Sequence, residues 1–289
     1  MYPQEFDYFV PKTVDEALSF LSAHENAKVL AGGQSLIPIM KTRVASFDYL
    51  VDLSNISDLR YIRKDGSEIH IGAMTTTGDI ESSSLIRKDL MVLAETASQI
   101  ADPQIRNVGT IGGNCSHGDP GNDMPALMLA LNARYVIRGK EGRKEIKASN
   151  FYKSSFETAL NGEEILTEII VPATPHGTGA AYVKHKRRAG DFSIAAVAAF
   201  ISLDGSSHCE SAGIGMTSVG PTSIKAIEAE RYLEGKQLTK DVISKAAEIM
   251  VSESDPMEDS YSSSEFKKEI LGLVGKEAIA KAFDRASGV

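Results

Sequence analysis

The sequence predicts an α+β protein laid out as three consecutive units, residues 1–57, 58–175 and 176–289. Three observations carry that division. A short apolar strand runs into Gly32-Gly33 and then into an apolar helical start, which gives the first unit parallel βα character. Between residues 58 and 175, short strands alternate with helical spacing around turn signals such as Asp65-Gly66. After the breaker Pro172-Ala173-Thr174-Pro175-His176-Gly177, strand candidates come first and helix candidates follow, the order of an α+β unit.

Each element has its own signal. Thr13 and Glu16 have capping-box spacing, and Val14, Ala17, Leu18 and Leu21 share one helical face, so a helix is expected from Thr13 to about His24. Val29-Leu30-Ala31 and Tyr49–Leu53 read as strands. Tyr61–Lys64 and Glu68–Ile71 flank Asp65-Gly66 as a hairpin. Leu90, Leu93, Ala94 and Ala97 place one helix over Leu85–Ile100. Ala101–Asp123, rich in glycine and proline, reads as a long polar connection whose length points to function. Asp123 is placed to cap a helix with Pro125 in its first turn, running to about Leu131. Strands are expected at Tyr135–Arg138, Ile165–Val171, Ala180–Lys186, Ala195–Leu203 and Ala212–Ser218. Helices are expected at Ser223–Leu233, Thr239–Val251 and Ser264–Phe283.

Composition narrows the function classes. The hydrophobic fraction of 42% and charged fraction of 24% are ordinary for a soluble chain. A net charge of −8, spread along the chain, argues against nucleic acid, which needs a basic surface. The N-terminal residues Met1–Glu5 lack the basic-then-apolar order of a secretory signal. The longest apolar run, Ile194–Ile201, is far short of the roughly twenty residues of a membrane span. The expected location is the cytoplasm. Cys115 and Cys209 are the only thiols, too few for a disulfide scaffold or for the ligands of an iron–sulfur cluster.

The chemistry concentrates in two glycine segments. Leu30-Ala31-Gly32-Gly33-Gln34-Ser35-Leu36 follows a strand, and Thr110-Ile111-Gly112-Gly113-Asn114 lies in the long connection. Neither has the Rossmann or P-loop spacing. Either one alone is an ordinary turn. Both pair glycines with neutral hydrogen-bonding side chains and carry no Lys or Arg. A phosphate group held there would rest on backbone N–H groups and helix N-termini. His117 and Asp119 are only a pair, whereas zinc takes three or four protein ligands, so no metal site is read here. No nucleophile or other catalytic side chain is read either.

Together with Arg187-Arg188-Ala189-Gly190-Asp191-Phe192, these segments make the chain resemble the FAD-binding subunits of the molybdenum hydroxylases, the xanthine dehydrogenase and aerobic carbon monoxide dehydrogenase family. The resemblance covers nearly the whole chain. It implies a two-subdomain FAD-binding fold of the PCMH type followed by an α+β C-terminal flavoprotein domain. It implies a large subunit carrying molybdopterin, where substrate is oxidised, and a small subunit carrying [2Fe–2S] clusters, assembled as a dimer of heterotrimers. FAD in this chain passes their electrons to an external acceptor. The motif wording leans toward carbon monoxide or an aldehyde as substrate.

By the family pattern, Leu30, Ala31, Gly32, Gly33, Gln34, Ser35 and Leu36 wrap the FAD diphosphate together with Thr110, Ile111, Gly112, Gly113 and Asn114. Ile100 and Leu166 match pocket positions. Asp123 matches an aspartate that contacts FAD. Lys184 matches a lysine near the flavin; Lys186 competes, because strand alternation puts both on one face. Asp191 and Phe192 match the segment facing the isoalloxazine ring, although some relatives carry Tyr at the Phe192 position. Two other readings stand beside this one. The chain serves assembly with structural FAD, or it is a stand-alone flavin oxidoreductase with covalent flavin. For the latter, Gln34 occupies a position where some relatives have His, and Cys115 and His117 lie nearby.

Overall fold

The computed structural model describes residues 1–174 and 177–288; Pro175 and His176 of the expected boundary lie outside the described residues. The chain folds around three main sheets. In the first, Tyr49–Asp52 lies between Asp7–Phe9 and Ala27–Leu30, all parallel. The helix Val14–Ala23 covers it through Ala17, Leu18 and Leu21. Thr13 accepts from the Glu16 N–H at 3.1 Å, while the Glu16 carboxylate takes the Lys12 N–H at 2.7 Å instead of closing the box on Thr13.

The second sheet is antiparallel. Its order is Ile62–Asp65, Glu68–Gly72, Ile165–Pro172, Arg134–Gly139, Gly142–Lys147. The outer strand Gly142–Lys147 gave no sequence signal, because an exposed edge strand of charged residues has no apolar face to read. On this sheet Glu168 gathers donors from Tyr61 Oη (2.7 Å), His70 Nδ1 (2.8 Å) and Arg63 Nη2 (3.2 Å). Burial alone would raise the Glu168 carboxyl, yet these donors hold it below its ordinary value. A depressed folded pKa contributes stability above the unfolded value and loses it as pH falls through the folded one. Glu168→Gln is therefore expected to flatten the acid side of a urea-midpoint-versus-pH curve. An acid limb identical to wild type would show that the cluster contributes nothing.

Three expectations in this unit are corrected. The single helix over Leu85–Ile100 is two helices, Ser84–Asp89 and Met91–Ser98, broken at Leu90 (φ −155°, ψ 53°). The break buries Leu90 fully, and Thr174 Oγ1 satisfies the Asp89 carbonyl at 2.9 Å. The connection Ala101–Asp123 is not a loop: it holds the helices Pro103–Val108 and Ile111–His117. Side-chain caps outweigh poor glycine propensity there. Asp102 accepts from Ile105 N–H at 3.0 Å, Thr110 Oγ1 accepts from Gly113 N–H at 3.1 Å, and Gly118 ends the second helix in the left-handed region. Asp123 is not a cap. Asn122 holds that position, and Asp123 is the first residue of the helix Asp123–Ala130, its carboxylate turned into the interior.

The third sheet runs Thr178–His185, Ala195–Leu203, Cys209–Thr217, Ile224–Lys225, all antiparallel. Ile224–Lys225 falls where a helix from Ser223 was expected; that helix begins at Ile227. Strand alternation splits this sheet between two cores. Ala180, Tyr182, Ala196 and Ala198 join the apolar core of the second unit, together with Leu127 and Met128. Ala181, Val183, Ala195 and Val197 join the core formed with the helices Lys240–Glu253 and Ser264–Ser287. The helix Asp123–Ala130 packs on the third sheet on one side and against the helices Met91–Ser98 and Ile111–His117 on the other, and all eight of its residues are buried. Among the described residues, no helix is long and apolar enough to cross a membrane.

Candidate functional site

The two glycine segments lie against each other. A Cβ on Gly32 would stand 2.3 Å from Val108 O and 2.7 Å from the Gly109 Cα, so the first segment packs directly on the residues leading into the second. A Cβ on Gly113 would lie 3.5 Å from Ala31 Cβ, and one on Gly109 would lie 3.7 Å from Gln34 Cγ. Gly33 has φ +68°, a conformation that favours glycine and turns the chain from the strand Ala27–Leu30 into the helix Leu36–Lys41.

The donors divide unevenly. In the second segment the N–H groups of Ile111, Gly112 and Gly113 are taken by Thr75 O (3.0 Å), Ala73 O (2.9 Å) and Thr110 Oγ1 (3.1 Å). In the first, the N–H groups of Gly33, Gln34, Ser35 and Leu36 have no acceptor among the described residues, and Gln34 Nε2 folds back onto Gly32 O at 2.9 Å. The available backbone donors therefore sit on the first segment rather than at the N-terminus of the second helix. At the far end of the pair, Asn114 Oδ1 is buried with no hydrogen-bond partner. A buried orphan acceptor is costly unless something supplies a donor.

From Asn114 a chain of contacts leads to the third sheet. Asn122 Nδ2 donates to Asn114 O at 2.8 Å. The next residue, Asp123, accepts from Lys184 Nζ at 3.0 Å and from Tyr182 Oη. The Lys184 side chain is 1% exposed, and its Nζ also lies 3.5 Å from Gln99 O. Burial pushes the Asp123 carboxyl above its ordinary value, against the pull of Lys184 and Tyr182. Burial and the neighbouring carboxylate push the Tyr182 phenol well up. Lys186 follows the strand end at His185 and, like Lys184 as a whole residue, is half-buried.

The remaining expected residues are placed as follows. Ile100 is buried next to Gln99, its carbonyl accepting from Arg106 Nη1 at 3.0 Å. Leu166 is buried in the second sheet and belongs to the same apolar core as Ile100 and Ile111. Asp191 lies 3.5 Å from Arg187 Nε, and Phe192 is 62% exposed. Phe192 Cδ1 lies 3.2 Å from where a Gly121 Cβ would stand, which ties this segment to the turn after the second glycine helix. Cys115 is fully buried, and burial pushes its thiol up to about 11. Its thiolate is not available for covalent attachment near neutral pH. Asn122, Tyr182 and Gln99 were not anticipated. Tyr182 had a signal, because it precedes Lys184 by two on one strand and so shares its face.

The glycine cradle, the unspent donors and the orphan acceptor suit a large phosphorylated group bearing both acceptors and donors, which FAD is. Residues 4–174 match the family described as the FAD binding domain in molybdopterin dehydrogenase, and residues 180–282 match the CO dehydrogenase flavoprotein C-terminal domain. Fold and site thus define an FAD-binding protein of the molybdopterin dehydrogenase class. The chain is 42% identical to the carbon monoxide dehydrogenase medium chain of Afipia carboxidovorans, over 99% of each. It is 36% identical to the glyceraldehyde dehydrogenase medium chain of Sulfolobus acidocaldarius, over 96% of this chain and 98% of that one. It superposes on a chain of the carbon monoxide dehydrogenase from Hydrogenophaga pseudoflava with a TM-score of 0.96 at 42% identity, covering 99% of each. The chain belongs to the FAD-binding medium subunits of the molybdenum hydroxylases, an oxidoreductase family.

Proposed function

We propose that this chain holds FAD between Leu30–Leu36 and Thr110–Asn114 and passes electrons from [2Fe–2S] clusters of a small partner subunit to an external acceptor. The observation that carries the reading is the direct packing of Gly32 on Val108–Gly109, with Asn114 Oδ1 left unpaired in the second segment. FAD supplies the chemistry, taking electrons one at a time and giving them up in pairs. The protein residues do the rest. The N–H groups of Gly33–Leu36 meet the diphosphate. Ile100 and Leu166 give the cofactor an apolar wall, and Phe192 keeps water from the ring. Lys184, rather than Lys186, holds a positive charge near the ring, fixed in place by Asp123.

Substrate oxidation belongs to a large molybdopterin subunit, with carbon monoxide or an aldehyde as substrate, as the names of the relatives at 42% and 36% identity suggest. The assembly is a dimer of heterotrimers in the cytoplasm. The division into 1–57, 58–175 and 176–289 follows the same reading, with the first two units sharing FAD.

Gly32→Ala tests it. The methyl group has no room against backbone at 2.3 Å, so the two segments must separate. The purified variant is expected to retain less than about a tenth of wild-type FAD, read as flavin absorbance per chain. Gly162→Ala, where nothing lies within 4 Å, is the control and keeps full flavin. Full flavin in Gly32→Ala would defeat the reading.

A further inference from the structure

Ala101 has φ +44°, a left-handed conformation that a residue with a Cβ rarely takes. It lies between the end of the helix Met91–Ser98 and Asp102, the cap of the helix Pro103–Val108. Glycine is the ordinary residue for such a junction. An alanine keeps the conformation only where its surroundings hold it. What holds it is Arg106. Its Nη1 donates to Ile100 O at 3.0 Å and to Ala101 O at 3.4 Å, and its Nε donates to Glu81 at 2.8 Å. The Arg106 side chain is 13% exposed. Glu81 stands on the helix Thr77–Ser82, whose start is fixed by a capping box of Thr76 and Asp79. The planar guanidinium thus reaches from an anchored helix to the peptides on both sides of Ala101.

The same turn is where the ring-end residues meet. Gln99 O lies 3.5 Å from Lys184 Nζ, and Ile100 is buried next to it. A Cβ on Gly190 would stand 3.6 Å from Ala101 O, so the segment leading to Asp191 and Phe192 leans on the turn. The glycine segments do not depend on Arg106 in this way. Asp102 caps the helix Pro103–Val108 through the Ile105 N–H at 3.0 Å, and Thr110 Oγ1 caps the helix after it at 3.1 Å. A change at Arg106 therefore reaches the ring end of the site and leaves the diphosphate end in place.

We propose that Arg106 is a positioning residue for the cofactor: by holding the carbonyls of Ile100 and Ala101 it locks the left-handed turn and so sets Ile100 against the flavin. The proposal rests on the FAD reading above, in which Ile100 walls the cofactor. Arg106 itself touches no part of the site. It acts through the turn, and the Ile100 side chain is what the flavin meets. A wall held within a fraction of an ångström needs such support behind it, because a side chain on an unheld turn drifts with the backbone.

The test saturates the full chain with FAD and reads the circular dichroism of the bound flavin in its visible band. That band reports the groups packed on the ring, and a general loss of stability does not move it in folded, loaded protein. Arg106→Met is expected to keep full FAD per chain and to lose about half of the band. Arg106→Lys, a cation that cannot span both carbonyls and Glu81, falls between. Ile100→Ala loses the same part, and Arg106→Met adds nothing in that background, because the guanidinium acts through Ile100. A wild-type band in Arg106→Met, or a loss that simply adds to that of Ile100→Ala, would overturn the proposal. Should Arg106→Met fail to fold, Arg106→Lys carries the test with Ala101→Gly. Glycine takes the turn without being held, so the double variant regains the wild-type band; no gain over Arg106→Lys would overturn the proposal. A wild-type chain that takes up no FAD defeats the FAD reading alone, and the turn is then read by amide hydrogen exchange. Faster exchange over residues 99–102 in Arg106→Met, with residues 111–114 unchanged, keeps Arg106 as the holder of the turn. Equal exchange overturns it.

Discussion

Asp123→Ala is expected to cost about 3–5 kcal/mol of stability, read as a lower urea midpoint at an unchanged m-value. The size follows from what is left behind. Lys184 is 1% exposed and would lose its carboxylate partner, keeping only Gln99 O at 3.5 Å. Tyr182 Oη would lose its acceptor in the same step. An unpaired buried ammonium is costlier than the ion pair is favourable. The opposite truncation, Lys184→Met, is expected to cost less. Asp123 keeps Tyr182, and burial already raises its carboxyl, so it can take up a proton and become neutral. That variant also carries a pH signature. A carboxyl whose folded pKa is raised binds its proton more tightly in the folded state. Stability is then highest below the ordinary carboxylate range and falls as pH rises toward the raised value. Asp123→Asn combined with Lys184→Met is expected to recover most of the loss, because no uncompensated charge remains. A double variant no more stable than Asp123→Ala would show that shape, rather than charge, sets the cost.

How far the sequence foretold this site depends on which force shapes each part. The first glycine segment was legible because its helix start and strand are both apolar and local: the strand read at Val29–Ala31 is found at Ala27–Leu30, and the turn at Gly33 and the helix from Leu36 follow it. The three long strands of the third sheet were legible for the same reason, being apolar runs, whereas the two-residue strand Ile224–Lys225 was read as the start of a helix. The second glycine segment was read as a loop because glycine propensity was weighed above the caps at Asp102 and Thr110. Asp123 was read as a cap because its pattern is local, whereas its carboxylate is claimed by Tyr182 and Lys184, about sixty residues on. Nothing in the spacing of Gly32 could reveal that Val108 and Gly109 would pack on it. Such contacts are fixed by how sheets and helices stack, and only the pairing of two motifs in one family pattern pointed to it.

Gly215→Ala is expected to destabilise the fold by about 3 kcal/mol and to strip FAD, although Gly215 touches neither glycine segment. Its Cβ would stand 1.9 Å from Ala126 O, and a Cβ on Gly213, two residues earlier on the same strand, would stand 2.0 Å from Ala130 O. The spacing between the third sheet and the helix Asp123–Ala130 is therefore set by bare Cα atoms against carbonyl oxygens. A methyl group there cannot rotate away; it must push the helix off the sheet. That helix begins with Asp123, and its start is pinned to the strand end by Thr217 Oγ1, which donates to Pro120 O at 2.6 Å and Asn122 O at 2.8 Å. Moving the helix pulls Asp123 from Lys184 and Asn122 from Asn114, so stability and flavin content should fall together. Gly205→Ala, in a turn where nothing lies within 4 Å, should change neither. Adding Ala126→Gly to Gly215→Ala should not rescue it, since the obstructing atom is a backbone oxygen. Rescue by that change would mean that side-chain bulk, not backbone approach, governs the packing that holds the cofactor site in place.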